Sequence, residues 1–396
     1  MFSQIVIIAS ALLPFASLTS ASPGYIALDF SVTRGSSRNF TGPIVHAKRS
    51  DVVGLDIFDK SYFYSTDLLL GSNKQNISVV IDTGSSDLWV NSASNTQCTS
   101  DCAAAGSFNS SQSTSFKGTD NAFSAAYQDG SSTSGKWVSD DASFTSGGPV
   151  VKGLTFGLAE SSSHEGILGI GLKSLESTQT EYDNLPYLLA AQDLISKPAY
   201  SVYLNPTRGE KGTVLFGAID NAKYDGNLVK LPHAGPVQRL GVQLDSFGVD
   251  STTIQTNIPG ILDTGYTYTF LPDAFVSQLA KALGSVSSGT VPGSLNSKQY
   301  YIPQDGVSNK TVKFNFNGVS ISIPLIELTS PLTYTATGLP APFYALTIFG
   351  TQDKDESWNA IGDNVLRRIY ALYDLTDSSI SIAQVKETTD TNIQPL

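Results

Sequence analysis

Short apolar stretches rich in Val, Ile, Tyr and Phe recur along the chain, separated by runs of Gly, Ser and Thr. Apolar and polar positions alternate within many of them, the period of a half-buried strand, and the intervening small polar residues are turn formers. Helical spacing is sparse. It appears over residues 181–196, where Leu188, Leu189, Leu194 and Ile195 follow Pro186, and over residues 272–284, with Pro near the first turn and Gly at the end. The pattern predicts a mostly β protein, and 396 residues suffice for two ordinary domains with sizeable cores.

The first residues break that pattern. An apolar run over 5–18 leads into Thr19, Ser20 and Ala21, which reads as a secretory signal over 1–21, although its first residues lack Lys or Arg. It is too short and too rich in small residues at its end for a membrane anchor. No other run approaches 18 apolar residues, and the tail 387–396 is polar, without the hydrophobic end of a lipid-anchor signal. The expected product is secreted, extracellular and free of any stable membrane anchor.

Two segments carry the same short pattern. Val79-Val80-Ile81-Asp82-Thr83-Gly84-Ser85-Ser86 and Gly260-Ile261-Leu262-Asp263-Thr264-Gly265 each end an apolar, strand-like run in Asp-Thr-Gly. Chance would supply such a triplet about 0.1 times in a chain of this length. Each is followed by an apolar pair closed by Gly, Ile167-Leu168-Gly169 and Ala360-Ile361-Gly362. The repeat is far too long for a solenoid and predicts two related β lobes facing each other. A strand ending in Asp-Thr-Gly presents a carboxylate at a tight turn. Two such turns, brought together by pseudo-symmetry, set two carboxylates side by side. Both cannot ionise comfortably, so the pair shares a proton and supplies a base and an acid at acidic pH. Asp82 and Asp263 are therefore the candidate catalytic residues, activating a water against a carbonyl.

Charge adds one restriction. The net charge is −11, and residues 50–396 hold 20 basic against 34 acidic side chains, with no basic stripe for a nucleic-acid partner. The excess suits an acidic medium, although solubility alone would also account for it. Lys48-Arg49 follows a segment containing Gly, Ser and Pro and reads as a processing site, leaving 22–49 as a pro-segment. Cys98 and Cys102 are the only cysteines, and in a secreted chain they suggest a disulfide pinning a small surface loop, with two free thiols as the alternative. His46, His164 and His233 are scattered, so no metal is expected, and no cofactor is implied. Asn76, Asn109 and Asn309, with Asn39 in the pro-segment, begin N-glycan acceptor triplets.

The run Val80-Ile81-Asp82-Thr83-Gly84-Ser85-Ser86-Asp87-Leu88-Trp89-Val90 is close to the first active-site signature of the pepsin family. The chain resembles that family across residues 60–386, and within it the secreted fungal enzymes of candidapepsin type. The resemblance implies a bilobal acid-protease fold with a few short helices, lobes at about 60–235 and 236–386, and a monomeric endopeptidase inhibited by pepstatin. It implies that Ser85 hydrogen-bonds the outer oxygen of Asp82, that Thr83 and Thr264 grip the opposite lobe's backbone, and that Gly84, Gly265 and Thr267 support the pair. Residues 123–131 look like the family's flap hairpin, with Tyr127 bonded to Trp89 and with Asp129 and Gly130 at the tip touching substrate. Bulky hydrophobic residues are the implied preference either side of the scissile bond of protein and peptide substrates. A basic pro-segment side chain, Arg34, Arg38 or Lys48, would silence the dyad; a flexible tail removed by a processing protease is the alternative.

The sequence also departs from that pattern. Tyr266 stands where relatives carry Ser or Thr, which predicts a weaker hold on ionised Asp263 and a displaced pH optimum. Gln128 replaces a common flap Gly, and the second lobe has no cysteine for the disulfide usual there. Tyr266 is also the best argument for a catalytically weak binding protein. The paired aspartates and threonines argue against that alternative, and nothing supports a two-carboxylate glycosidase.

Overall fold

Strand periodicity carries through into the structure, a computed structural model that describes residues 24–34, 62–99, 101–127, 131–144, 149–178, 180–205, 211–285, 287–291, 297–331, 343–352 and 359–396. The signal segment 1–21, Asn39, the Lys48-Arg49 pair and the flap residues Gln128, Asp129 and Gly130 lie outside these residues. Strands dominate, arranged as one large sheet of thirteen, one of eleven and a pair. No helix among the described residues is long and apolar enough to cross a membrane.

The duplicated motif folds the same way twice. Strand Gln75–Asp82 runs parallel to Gly166–Gly169, pairing Asp82 with Gly169, and Leu88–Asn91 crosses back antiparallel to the same short strand. In the other half Thr252–Leu262 runs parallel to Ala360–Ile361, pairing Leu262 with Ile361, and Thr269–Pro272 meets that strand antiparallel. Each Asp-Thr-Gly turn is thus threaded between two strands from distant parts of its own half. Gly169 closes against the turn so tightly that a Cβ there would lie 2.6 Å from the Ser86 nitrogen. That close approach accounts for the Gly after the first apolar pair.

Sequence alternation is visible along Thr252–Leu262, whose first half exposes every other residue while its last three positions are all buried. The strand leaves the solvated edge and enters the middle of the molecule just before Asp263. The larger sheet ties the halves together: Ala199–Leu204 pairs with Ile369–Asp374, and that strand continues into Ser379–Val385. Residues 232–240 connect the large sheet to the eleven-stranded one. The second half has no disulfide among the described residues. Its core is aromatic and aliphatic, with Phe247 stacked on Phe314 at 5.5 Å and Leu244, Val312 and Ile321 fully buried.

Two termini are more ordered than their composition suggests. Ile26–Arg34, inside the expected pro-segment, is a strand paired antiparallel on both sides, with Lys211–Phe216 and with Tyr62–Leu70. Ile26 and Leu28 are buried. The polar tail ends in Ile393–Pro395, paired with Ala218–Asp220, and Ser196 Oγ donates to the Leu396 carbonyl at 2.7 Å.

Both helical stretches form, shorter than the spacing suggests. Leu185–Ala191 carries Pro186 in its first turn, where the missing N–H costs nothing, and the chain turns away at Asp193 with φ +54°. Asp273–Ala282 buries Val276, Leu279 and Ala280 on one face and is followed by Gly284 at φ +74°.

Candidate active site

Asp82 and Asp263 end their strands at the junction of the two halves, 8% and 3% exposed. The turns that carry them interlock. Thr83 Oγ1 donates to the Leu262 carbonyl at 2.8 Å, and Thr264 Oγ1 donates to the Ile81 carbonyl at 2.8 Å. Each hydroxyl also accepts the other threonine's backbone N–H at 3.1 Å. Four reciprocal hydrogen bonds, all buried, fix one turn against the other. Tyr373 closes the floor, its hydroxyl donating to the Leu262 carbonyl at 3.0 Å and its ring stacked on Tyr200 at 5.0 Å.

The glycines let the carboxylates meet. A Cβ on Gly84 would lie 2.1 Å from Asp263 Oδ2, and one on Gly265 would lie 2.7 Å from Asp82 Oδ1. Any side chain at either position would displace the facing carboxylate. Gly84 N–H donates to Asp82 Oδ1 and Gly265 N–H to Asp263 Oδ1, both at 2.8 Å. The symmetry ends there. Ser85 Oγ donates to Asp82 Oδ2 at 2.6 Å, whereas Tyr266, at the equivalent position, packs its ring edge-on against Phe270 at 5.6 Å. Thr267 contributes its carbonyl to the Asn364 N–H at 3.4 Å.

Electrostatics separate the two acids. Burial, the facing Asp82 charge and a hydrogen bond with Asp82 push the Asp263 carboxyl well above the ordinary carboxylate range. The Gly265 N–H and the Arg239 guanidinium pull it back. Asp82 accepts the Gly84 N–H and the Ser85 hydroxyl. The site is thus suited to hold one proton between two acids, with Asp263 the more readily protonated.

Strands Lys117–Ala126 and Ser132–Phe144 pair antiparallel as a hairpin. Tyr127 N–H donates to the Ser131 carbonyl at 2.9 Å at its tip side, and Trp89 Nε1 donates to the Tyr127 hydroxyl at 2.6 Å. Phe123 and Trp137 of this hairpin join Trp89, Val80 and Ile167 in a separate buried cluster. Cys98 and Cys102 are disulfide-bonded. Cys102 is only 2% exposed, so the bridge is partly internal rather than wholly superficial, and Asn91 Nδ2 donates both to its sulfur at 3.2 Å and to the His164 carbonyl at 2.8 Å. Asn76 and Asn309 are exposed, while the Asn109 side chain accepts the Ser111 N–H and caps a short turn.

Sequence reasoning gave no role to two groups that meet the site, nor to a buried acid beside Asp87. Arg239, from the connecting residues, donates from Nη1 to the Gly84 carbonyl at 3.0 Å. Asp363, next to Gly362, is fully buried, and neither of its oxygens finds a hydrogen-bond donor among the described residues. Burial holds its carboxyl well above the ordinary range, with Arg367 opposing and Asp263 reinforcing the shift. Glu176 lies near Asp87, which accepts the Tyr182 hydroxyl at 2.8 Å and the Ser177 N–H at 2.9 Å. Burial pushes the Glu176 carboxyl up to about 8, despite the Tyr182 N–H that it accepts. No spacing rule marks these residues, because the tertiary fold sets each one's surroundings.

Comparison with known proteins agrees with the geometry. The family model for eukaryotic aspartyl proteases matches residues 63–385. Secreted aspartic protease 3 of Candida albicans is 37% identical over 388 residues, covering 95% of this chain and 94% of that protein. Candidapepsin-3 of Candida albicans strain WO-1 is 37% identical over 404 residues, 98% of each chain. Candidapepsin-1 of the same strain is 37% identical over 397 residues, 98% of this chain and 97% of its own.

Proposed function

The chain belongs to the eukaryotic aspartyl protease family and is an aspartic-type endopeptidase acting on proteins or peptides, and we propose that Asp82 and Asp263 are its catalytic pair. The observation that carries this is the face-to-face approach of two buried carboxyls across Gly84 and Gly265. With one proton shared, Asp263 holds it in the free enzyme and Asp82 is the charged member. A water bound between them loses a proton to the carboxylate and attacks the peptide carbonyl. The carboxylic acid protonates the carbonyl oxygen, and a proton then passes to the leaving amine.

Activity in this reading needs one protonated and one ionised acid, so it is confined to acidic pH and falls on both sides. Thr83, Thr264, Ser85 and the two glycines keep the carboxyls in register, so little reorganisation is needed during reaction. Tyr266 removes the short hydroxyl that would favour ionised Asp263, which displaces the bell towards higher pH than a Ser or Thr would give. Tyr127, held by Trp89, is read as the flap residue of a cleft in which an extended peptide binds through its backbone. Apolar pockets beside the scissile bond favour bulky hydrophobic residues.

The protein is secreted, in keeping with relatives named as secreted proteases and with the apolar leader 1–21. We assign the lobes to 60–235 and 236–386 and read 22–49 as a pro-segment released at Lys48-Arg49. The doubly paired strand Ile26–Arg34 supports a segment that folds with the zymogen rather than a loose tail. Asn76 and Asn309, both exposed, are the better placed glycan acceptors. The mature enzyme acts as a monomer.

Digestion of a denatured protein from about pH 2.5 to about 7, with and without pepstatin and alongside Asp82→Asn, tests the central reading. Acid-limited cleavage that pepstatin blocks and the variant loses is expected. Undiminished cleavage by Asp82→Asn would overturn the assignment of the pair.

A further inference from the structure

We infer that Arg239 is a positioning residue for the dyad, its guanidinium anchored on the Gly84 carbonyl so as to set the pH at which Asp82 and Asp263 take up their shared proton. The inference rests on the dyad reading above and adds a part to it.

Gly84 is the hinge of the argument. Its N–H holds Asp82 Oδ1 at 2.8 Å, its Cα abuts Asp263, and its carbonyl accepts Arg239 Nη1 at 3.0 Å. A permanently charged group is therefore fixed on the residue that lies two positions after Asp82 and abuts Asp263. The connecting segment is itself held in place. Arg239 N–H donates to the Pro236 carbonyl at 3.0 Å, the His233 ring nitrogen meets the Arg239 carbonyl at 2.8 Å, and Ser174 Oγ donates to the Gln238 carbonyl at 3.2 Å. Leu240 anchors the next position in the core. The guanidinium thus reaches across from the connection between the halves to the first half's active turn, 155 residues away in sequence.

Other groups surround the pair. Asp363 opens the short helix beyond Gly362 and Arg367, whose charge acts on it, caps that helix; Tyr373 and Tyr200 lie beneath, and Ser85 and Tyr266 flank the turns. Asp363 and the tyrosines are neutral when uncharged by burial and add no positive charge. Arg239 is the cation that acts on Asp263, opposing the burial and the facing carboxylate that favour its protonated form. Removing the cation makes both proton-binding steps of the pair easier. The whole bell must then move towards higher pH.

The test is the pH dependence of kcat/KM for wild type, Arg239→Gln and Arg239→Lys, with Asp82→Asn as control, on a peptide without acidic or basic side chains. Arg239→Gln is expected to move both limbs up by about half to one pH unit, a shift of the size a nearby charge exerts at a partly solvated site. Arg239→Lys keeps the charge and is expected to return both limbs to within about a quarter unit of wild type, with a lower plateau because the ammonium lacks the planar fork. Limbs that stay put in Arg239→Gln, whatever the plateau does, overturn the proposal, since a purely structural role lowers the plateau without moving them. If Arg239→Gln does not fold, limbs that move by a full unit in Arg239→Lys overturn it instead. Retained activity in Asp82→Asn sinks the dyad reading and is recognisable separately.

Discussion

Thr264 shows how much of the site one side chain can carry. Its hydroxyl donates to the Ile81 carbonyl and accepts the Thr83 N–H, so Thr264→Ala leaves two buried backbone groups on the opposite half without partners. An unsatisfied buried polar group costs about 1–3 kcal/mol, so the variant should lose about 2–4 kcal/mol of stability by denaturant melting. Its kcat should fall more than its KM changes, because the carboxyls lose register while the cleft persists. Thr264→Ser keeps the hydroxyl and should recover most of both; equal losses in the two variants would show that the methyl packing, not the bonds, matters. These contacts were readable in the sequence because the motif occurs twice and its family signature is specific. Arg239 and Asp363 were not: one lies 155 residues from its partner, and the other is a carboxyl whose burial no local pattern announces.

The same contrast holds among the elements. Strands ending in Asp-Thr-Gly and both short helices followed from periodicity and turn chemistry, because each is a local consequence of its own residues, whereas the hairpin around Tyr127 was read from the resemblance to the pepsin family. Ile26–Arg34 did not read as an inner strand, since its place between two others depends on partners far along the chain. Nor did the depth of the loop at Cys98 and Cys102. Asn91 and Asn95 stitch that loop to the carbonyls of His164 and Ser162, beside the Trp89 that supports the hairpin. A bridge closing so short a loop restrains the unfolded chain by about 2 kcal/mol. Changing both cysteines to Ser should therefore lower stability by about that amount, read by denaturant unfolding. Because the asparagine bonds remain, kcat/KM should stay within about threefold; a larger fall would mean that the bridge itself positions the hairpin.

Charge and burial together predict a fold that is most stable in acid. The chain carries a net charge of −11, and at neutral pH that excess repels itself in the compact state. Three carboxyls add to the effect: Asp263, Asp363 and Glu176 are each held above the ordinary range, chiefly by burial. For Glu176 the raised value is about 8 against an ordinary 4.5. Below 4.5 both folded and unfolded chains keep that proton, and stability is undiminished. Between 4.5 and about 8 the unfolded chain has released it while the folded one still binds it, so unfolding gains a proton release and stability falls as pH rises. The buried aspartates act with the same sign. Thermal or urea midpoints should therefore be highest in acid and decline towards neutrality. Glu176→Gln retains an acceptor for the Tyr182 N–H and removes the ionisation beside Asp87. Its midpoint should decline less between about pH 5 and about 8 than that of wild type, while matching it near pH 4, where Glu176 is protonated in both states. An unchanged slope would mean that the general acidic excess, rather than the Glu176 carboxyl, makes the fold fail at neutral pH.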